Sequence, residues 1–325
     1  MMSERTFSDV LAEAYQLYLK KEYAQSLNLV EREAERFPEQ ETAVYFWRIC
    51  LVSRMGQLTR AVQLLEEAIA ADHWYYEARL REDEDLEPLQ GRPDFERLVA
   101  ICRERQEQAQ AGAEPSLVTL PPEGQCGTAD QLCPLLIALH GNNSNAPSSA
   151  DYWCSAVPKG WLVALPQSSQ VSGPDAYVWD DRERTKREIQ EHYATLTDSY
   201  AVDKERVILG GFSKGGELAI WLVLNGTVEA CGFVVVGPGG PFIRQPDKWA
   251  PLIKAGCERG LRGYFVVGEL DAFCLEGSKA LASMLKSRGI PCEVEVHPNL
   301  GHDFPPDFER SLARGLEFVL GGNDE

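Results

Sequence analysis

The chain has 325 residues, 44% of them hydrophobic, which is enough for two domains with sizeable cores. Its 50 acidic residues outnumber 32 basic ones, and the formal net charge of −18 disfavours nucleic acid and anionic membrane surfaces as partners. No run reaches the ~18 apolar residues of a membrane span, and no long apolar segment follows Met1-Met2-Ser3-Glu4-Arg5, so neither a membrane span nor a signal peptide is expected. Nine cysteines, an odd number, lack close pairing or metal spacing. They predict no disulfide framework and no zinc site, and a reducing, cytoplasmic setting is the simpler expectation.

Residues 7–70 show helical periodicity with few β-branched runs. The stretch from Glu22-Tyr23-Ala24 to Phe37-Pro38 is related to that from Gln57-Leu58-Thr59 to Asp72-His73, at an offset of 35 residues. Ser26, Ala61 and Ala68 place small side chains where two helices must approach closely. Gly56 marks a turn, and Pro38 follows a helix end. This resembles tetratricopeptide repeats, whose period is about 34 residues. Glu33 departs from the pattern, since a small residue is expected there, and the usual tryptophan has no clear counterpart. A third, decayed unit is expected from Tyr75 to Arg105, with Glu82-Asp83-Glu84-Asp85 as a solvated loop, the alternative being that it opens a helix, where negative charge meets the positive dipole end. Tyr15, Tyr18 and Trp47 are expected to line a groove suited to a peptide or to the neighbouring domain. The polar stretch Gln106 to Pro115 reads as a linker, closing a helical domain of residues 1–110 and leaving 111–115 between it and a domain of 116–325.

The remainder alternates strands and helices, which predicts an α/β fold with a mostly parallel sheet covered on both faces. Ser116–Leu120 and Leu135–Leu139 read as strands, the second leading into His140-Gly141-Asn142-Asn143. Ala146–Ala156 reads as a helix, Trp161–Leu165 as a strand followed by a polar loop through Gly173, and Thr185–Tyr200 as a helix. Strands 206–210, 232–236, 263–267 and 292–297 follow, with helices after 213, over 277–287 and over 308–320.

The most informative stretch is Arg206-Val207-Ile208-Leu209-Gly210-Gly211-Phe212-Ser213-Lys214-Gly215-Gly216. A buried strand ends in Gly-x-Ser-x-Gly and a helix follows, the context a nucleophile elbow requires. A serine is a poor nucleophile without a base, and the base needs an orienting acid. His302, in the loop after a strand, is the candidate base among five histidines. Asp271, just past the end of strand 263–267, is the candidate acid, with Glu269 the runner-up. The backbone amide of Lys214 is one candidate oxyanion donor, and that of Asn142 is the other. Asn143 and Trp179 are candidates for the pocket wall, as is the loop Gly237–Phe242, with a place in the core the equal alternative for Trp179. No metal or cofactor site is expected.

With the His-Gly loop, the elbow, Gly268-Glu269-Leu270-Asp271 and Gly301-His302-Asp303-Phe304-Pro305 in this order, residues 116–320 resemble the α/β-hydrolase fold. The resemblance is to its small phospholipase/carboxylesterase and dienelactone-hydrolase-like branch. It implies hydrolysis of carboxylic esters or thioesters through an acyl-enzyme, with a small-molecule substrate and no cofactor. Two positions depart from the branch: Asn142 where a small or apolar residue is usual, and Lys214 where glutamine is common. A peptidase on the same triad, and a helical-repeat interaction protein with a weakly active hydrolase body, are the alternatives.

Overall fold

The computed structural model describes residues 5–122, 131–243, 245 and 248–322. They form two compact units, one of residues up to Ala113 together with Val171–Ala176, the other of Glu114–Gln170 and Tyr177 onward.

The first unit is helical. Helices α1 (Phe7–Leu19), α2 (Tyr23–Ala34), α3 (Glu41–Arg54) and α4 (Leu58–Ala70) pack in sequential pairs, followed by α5 (Glu77–Glu82) and α6 (Pro93–Ala111). Thr6 starts α1 with a reciprocal cap: its side chain accepts from Asp9 N–H, and the Asp9 carboxylate accepts from Thr6 N–H. Ser26, Ala61 and Ala68 are completely buried, and the Ser26 hydroxyl donates to the Ala14 carbonyl at 2.8 Å. Small side chains therefore do stand where these helices meet. Two expectations change here. Helix α6 runs to Ala111, so the polar stretch from Gln106 is helical for its first half. The acidic stretch is not a loop: Asp83 caps a 3₁₀ segment over Glu84–Leu89 by accepting from Asp85 N–H.

The second unit is built on a seven-stranded sheet. Strands β1 (Ser116–Leu120), β2 (Cys133–Leu139) and β3 (Leu162–Gln167) precede a small hairpin of β4 (Gln170–Gly173) and β5 (Ala176–Val178). Then come β6 (Val202–Phe212), β7 (Gly232–Val236), β8 (Arg262–Gly268) and β9 (Cys292–His297). The order across the sheet is β1-β3-β2-β6-β7-β8-β9. Only β1 runs antiparallel; every other neighbouring pair is parallel. From β2 the chain goes to β3 on one side and later returns with β6 on the other. The gap between β2 and β6 is therefore the topological switch point, where open α/β sheets place their sites.

Alternation along the strands divides the core. Leu135, Ile137 and Leu139 of β2, Leu209 of β6, Val235 of β7 and Phe265 of β8 face one layer. That layer holds α8 (Arg182–Ser199), α9 (Lys214–Leu224), α10 (Ala250–Cys257) and α11 (Ala272–Ser287). Leu136, Ala138, Ile208, Val234, Val236 and Val266 face the other, under Trp153 at the end of α7 (Ala146–Trp153) and Phe308, Leu312 and Leu316 of α12 (Phe308–Val319). A sheet covered on both faces is why these strands read as continuous apolar runs.

The expected polar loop through Gly173 is instead the β4–β5 hairpin, and its residues 170–173 are buried. Val171–Ala176 belong to the helical unit: Tyr76 N–H donates to the Ser172 carbonyl at 2.9 Å, and Gln110 Oε1 accepts from Val171 N–H at 3.1 Å. The cysteine reading is also corrected, because Cys133 is disulfide-bonded. Spacing rules register frameworks of several bonds, and the cysteines no longer argue for a reducing compartment. Among the described residues no helix is long and apolar enough to cross a membrane.

Candidate active site

Strand β6 ends at the switch point, and the chain turns there within two residues. Ser213 has φ 52° and ψ −120°, a backbone state that costs a non-glycine residue about 1–3 kcal/mol. The glycines around it make the turn feasible. A Cβ on Gly211 would lie 2.5 Å from the Gly215 backbone, and one on Gly215 would lie 2.4 Å from the carbonyl oxygens of Leu139 and His140. Ser213 N–H donates to the Val236 carbonyl at 3.0 Å, which ties the turn to β7. Helix α9 starts at Lys214, so the Lys214 amide stands in the first turn, where amides lack an intrahelical acceptor.

His302 and Asp271 meet this serine from the ends of two other strands. The Ser213 hydroxyl is 2.9 Å from His302 Nε2, and His302 Nδ1 is 2.6 Å from Asp271 Oδ2. An ionised carboxylate can only accept, so Nδ1 carries the ring proton and Nε2 accepts from the serine. Asp271 is held by its place at the start of α11, where Oδ1 accepts from Cys274 N–H at 3.3 Å. Burial pushes its carboxyl up, but the hydrogen bond and charge of His302 and the bonds from Cys274 outweigh this, holding it below the ordinary 3.8. The imidazole packs against Phe212 at 4.9 Å, and Phe212 against Phe304 at 4.9 Å. Gly237 leaves room for it, since a Cβ there would approach Nδ1 to 3.2 Å.

The loop after β2 forms the other side. A Cβ on Gly141 would lie 3.6 Å from the Ser213 Cβ, so this loop runs beside Ser213. His140 is completely buried, its Nδ1 donating to the Gly141 carbonyl at 2.7 Å while Nε2 accepts from Ser168 N–H at 3.4 Å. Burial lowers its pKa to about 4, against a smaller opposing effect of the Gly141 carbonyl, so it is neutral at pH 7. Trp179 donates its indole N–H to the His140 carbonyl at 2.9 Å, and the rings lie 4.6 Å apart.

Trp179 is 0% exposed and belongs to the core, where it shapes the loop that carries Asn142 and presents no surface to a ligand. Asn142 is half-buried, and its side-chain oxygen accepts from Trp179 N–H at 3.3 Å. Asn143 is exposed, takes φ 55°, and donates its N–H to the Tyr177 carbonyl at 2.8 Å. Glu269, the runner-up acid, is exposed and accepts from Asn299 N–H at 3.2 Å. His73, His192 and His297 are elsewhere, on Thr42, in α8 and on Ser311.

Two side chains near the site were not anticipated. Cys274 Sγ lies 3.5 Å from His302 Nδ1, and Glu217 is buried one helical turn beyond Ser213. The signal for Glu217 was a lone acid entering an otherwise apolar helix. Asp271, Cys274 and His302 offer donor atoms within 4.8 Å of one another, as do Cys50, Asp83 and Asp85 in the helical unit. In the first group Nδ1 and Oδ2 are already engaged with each other. In the helical unit, Tyr15 and Tyr18 stack at 5.9 Å and Trp47 meets both edge-on at 6.5 Å, beside a cavity of about 220 Å³.

Comparison with known proteins agrees with this architecture. Residues 6–110 match the family of the A/B hydrolase-like N-terminal domain. An uncharacterized protein from Bacillus cereus ATCC 10987 is 30% identical, with 97% of this chain and 99% of that chain covered and a TM-score of 0.55. The crystal structure of esterase PE8 aligns with 63% of this chain and 99% of its own, at 17% identity and a TM-score of 0.51, a likeness of fold. No curated protein matches the sequence. The chain belongs to one family with that Bacillus cereus protein, its residues 6–110 are an A/B hydrolase-like N-terminal domain, and its fold is that of the α/β-hydrolases.

Proposed function

We propose that the protein is a serine hydrolase that cleaves carboxylic esters or thioesters through an acyl-enzyme on Ser213. The observation that carries this reading is the continuous chain of hydrogen bonds from Ser213 Oγ through His302 to Asp271. In the proposed reaction His302 Nε2 takes the serine proton as Oγ attacks the carbonyl carbon. Asp271 stabilises the imidazolium that forms. The negative charge on the tetrahedral oxygen is met by the backbone amides of Lys214 and Asn142, where preorganised donors are most effective. His302 then protonates the leaving group, and water activated by the same imidazole releases the acid. Side chains and backbone of this chain carry every step, so no metal or organic cofactor is required.

The elements from residue 116 onward supply all of these groups, and residues 1–110 are proposed as a repeat-like unit whose Tyr15, Tyr18 and Trp47 surface suits a peptide. A fluorophosphonate probe tests the central claim, since it should modify Ser213 in wild type and fail to label Ser213→Ala. Turnover of short p-nitrophenyl esters without turnover of aminoacyl amides is the expected selectivity. The reverse would make the chain a peptidase on the same residues.

A further inference from the structure

Helix α9 is buried along its whole length, and Leu218 to Leu224 are apolar. Glu217 enters this helix four residues after Ser213 and is 0% exposed. A buried carboxylate persists only when it is paired and hydrogen-bonded. Glu217 is compensated four times. Oε1 accepts from Arg182 Nη2 at 2.6 Å and from Lys214 Nζ at 3.0 Å. Oε2 accepts from the backbone N–H groups of Phe242 and Ile243, at 2.8 and 3.0 Å. The partners come from the start of α8, the start of α9 and the loop after β7.

That loop also touches the reacting groups. Gly239 N–H donates to the Ser213 carbonyl at 3.0 Å, and a Cβ on Gly239 would lie 3.6 Å from Ser213 Oγ. Gly237 lies against His302, as described above. Gly240, at φ 146°, passes so close to Glu217 that a Cβ there would come within 2.6 Å of Oε2. The loop is thus held at Gly239 by the backbone of Ser213 and at Phe242 and Ile243 by Glu217. The Arg182 guanidinium completes the clasp, lying 3.3 Å from the centre of the Phe242 ring. The arrangement also accounts for lysine at position 214, because its ammonium is the counterion of a glutamate three residues on.

We infer that Glu217 is a positioning residue: it fixes the loop Gly237–Ile243 and the Lys214 corner against Ser213, and so sets which acyl groups the site accepts. The inference rests on the acyl-enzyme reading. Glu217→Gln keeps the volume and removes the charge. It should be assayed in the full chain, well below its melting temperature, with p-nitrophenyl acetate and p-nitrophenyl octanoate. We expect kcat on acetate to fall about ten- to a hundredfold, as small misplacements do. The ratio of kcat/KM between the two esters should shift by at least about threefold, because discrimination follows the wall's shape. A lower Tm with kcat and the ratio unchanged would leave Glu217 as ordinary structural support and overturn the inference. If Glu217→Gln does not fold, Gly240→Ala disturbs the same contact from the loop side, and an unchanged ratio there overturns it equally. Ser213→Ala separates the two claims. If it remains active, the acyl-enzyme reading fails; if it is inactive while Glu217→Gln behaves as wild type, only the positioning role fails.

Discussion

His140 and His302 both stand just beyond the carboxyl ends of parallel strands, yet their surroundings give them opposite chemistry. His140 has no exposed surface, is hydrogen-bonded to no carboxylate among the described residues, and is held neutral by burial, with a pKa of about 4. His302 has a side chain 41% exposed and an aspartate 2.6 Å from Nδ1. A general base must accept and return a proton, so it needs a partner that stabilises its charged form and a path for substrate to its free nitrogen. His302 has both. His140 lacks both and acts as a scaffold, its carbonyl anchoring Trp179 and its ring bracing the loop opposite the serine. The residue type is the same; in the proposed mechanism the carboxylate and the exposure decide the role.

The sharpest way to break this comparison is at the reacting groups. Ser213→Ala and His302→Ala should each lower kcat by on the order of 10⁴-fold or more in folded protein, read with a short p-nitrophenyl ester. Near-wild-type turnover in either would remove the distinction between the two histidines. Asp271→Asn should cost less than the serine change and leave measurable activity, since the orienting acid contributes less than the nucleophile when groups act as a unit. Equal losses would mean that Asp271 does more than orient.

A second test reads His140 through stability. Its pKa is depressed in the folded state relative to the ordinary 6.5, so below that value the unfolded chain binds a proton that the folded chain refuses. Stability should therefore fall as pH drops from about 6.5 towards about 4, by roughly 3 kcal/mol for a shift of this size. Urea melts across this range should show the slope in wild type and a weaker one in His140→Gln. Asp271, whose carboxyl is held below 3.8, adds an acid loss at still lower pH, present above the unfolded value and removed as pH falls through the folded one. An identical pH slope in wild type and His140→Gln would show that His140 is not held neutral.

The smallest effect is expected in the helical unit, which supplies none of the proposed reacting groups. Tyr15→Ala or Trp47→Ala in the full chain should leave kcat on a short ester within about twofold, because the elements from residue 116 onward supply every proposed reacting group. A large drop would assign the helical unit a part in catalysis that the present division of labour denies it.

The elbow at Ser213 was legible because its signals are local. A β-branched run, two glycines and an apolar helix start lie within a dozen residues, and short-range sterics dictate the turn. Strands β7 and β9 were equally plain, being short apolar or alternating runs bounded by turns. The β4–β5 hairpin was not, because Gln170-Val171-Ser172-Gly173 is a short, largely polar run, and the Ser172 carbonyl pairs with Tyr76 N–H, nearly a hundred residues away in sequence. Trp179 was left open between pocket wall and core for a similar reason, since an aromatic in a polar loop carries no sign of which way it faces.

The sequence by itself determined the order of chemistry along the chain: a His-Gly loop, an elbow serine, an acid after one strand and a histidine after another. It also determined the mostly parallel sheet, through continuous apolar strands alternating with helices. Only the tertiary structure decided which of these groups meet. Ser213 and His302 are 89 residues apart and come to 2.9 Å because β6 and β9 end on the same edge of one sheet. The structure alone revealed that Glu217 faces Arg182, Lys214 and two loop amides, for those partners come from three separate segments. Periodicity records which side of a helix is buried; what it is buried against depends on contacts between residues far apart in the chain, which no local pattern encodes.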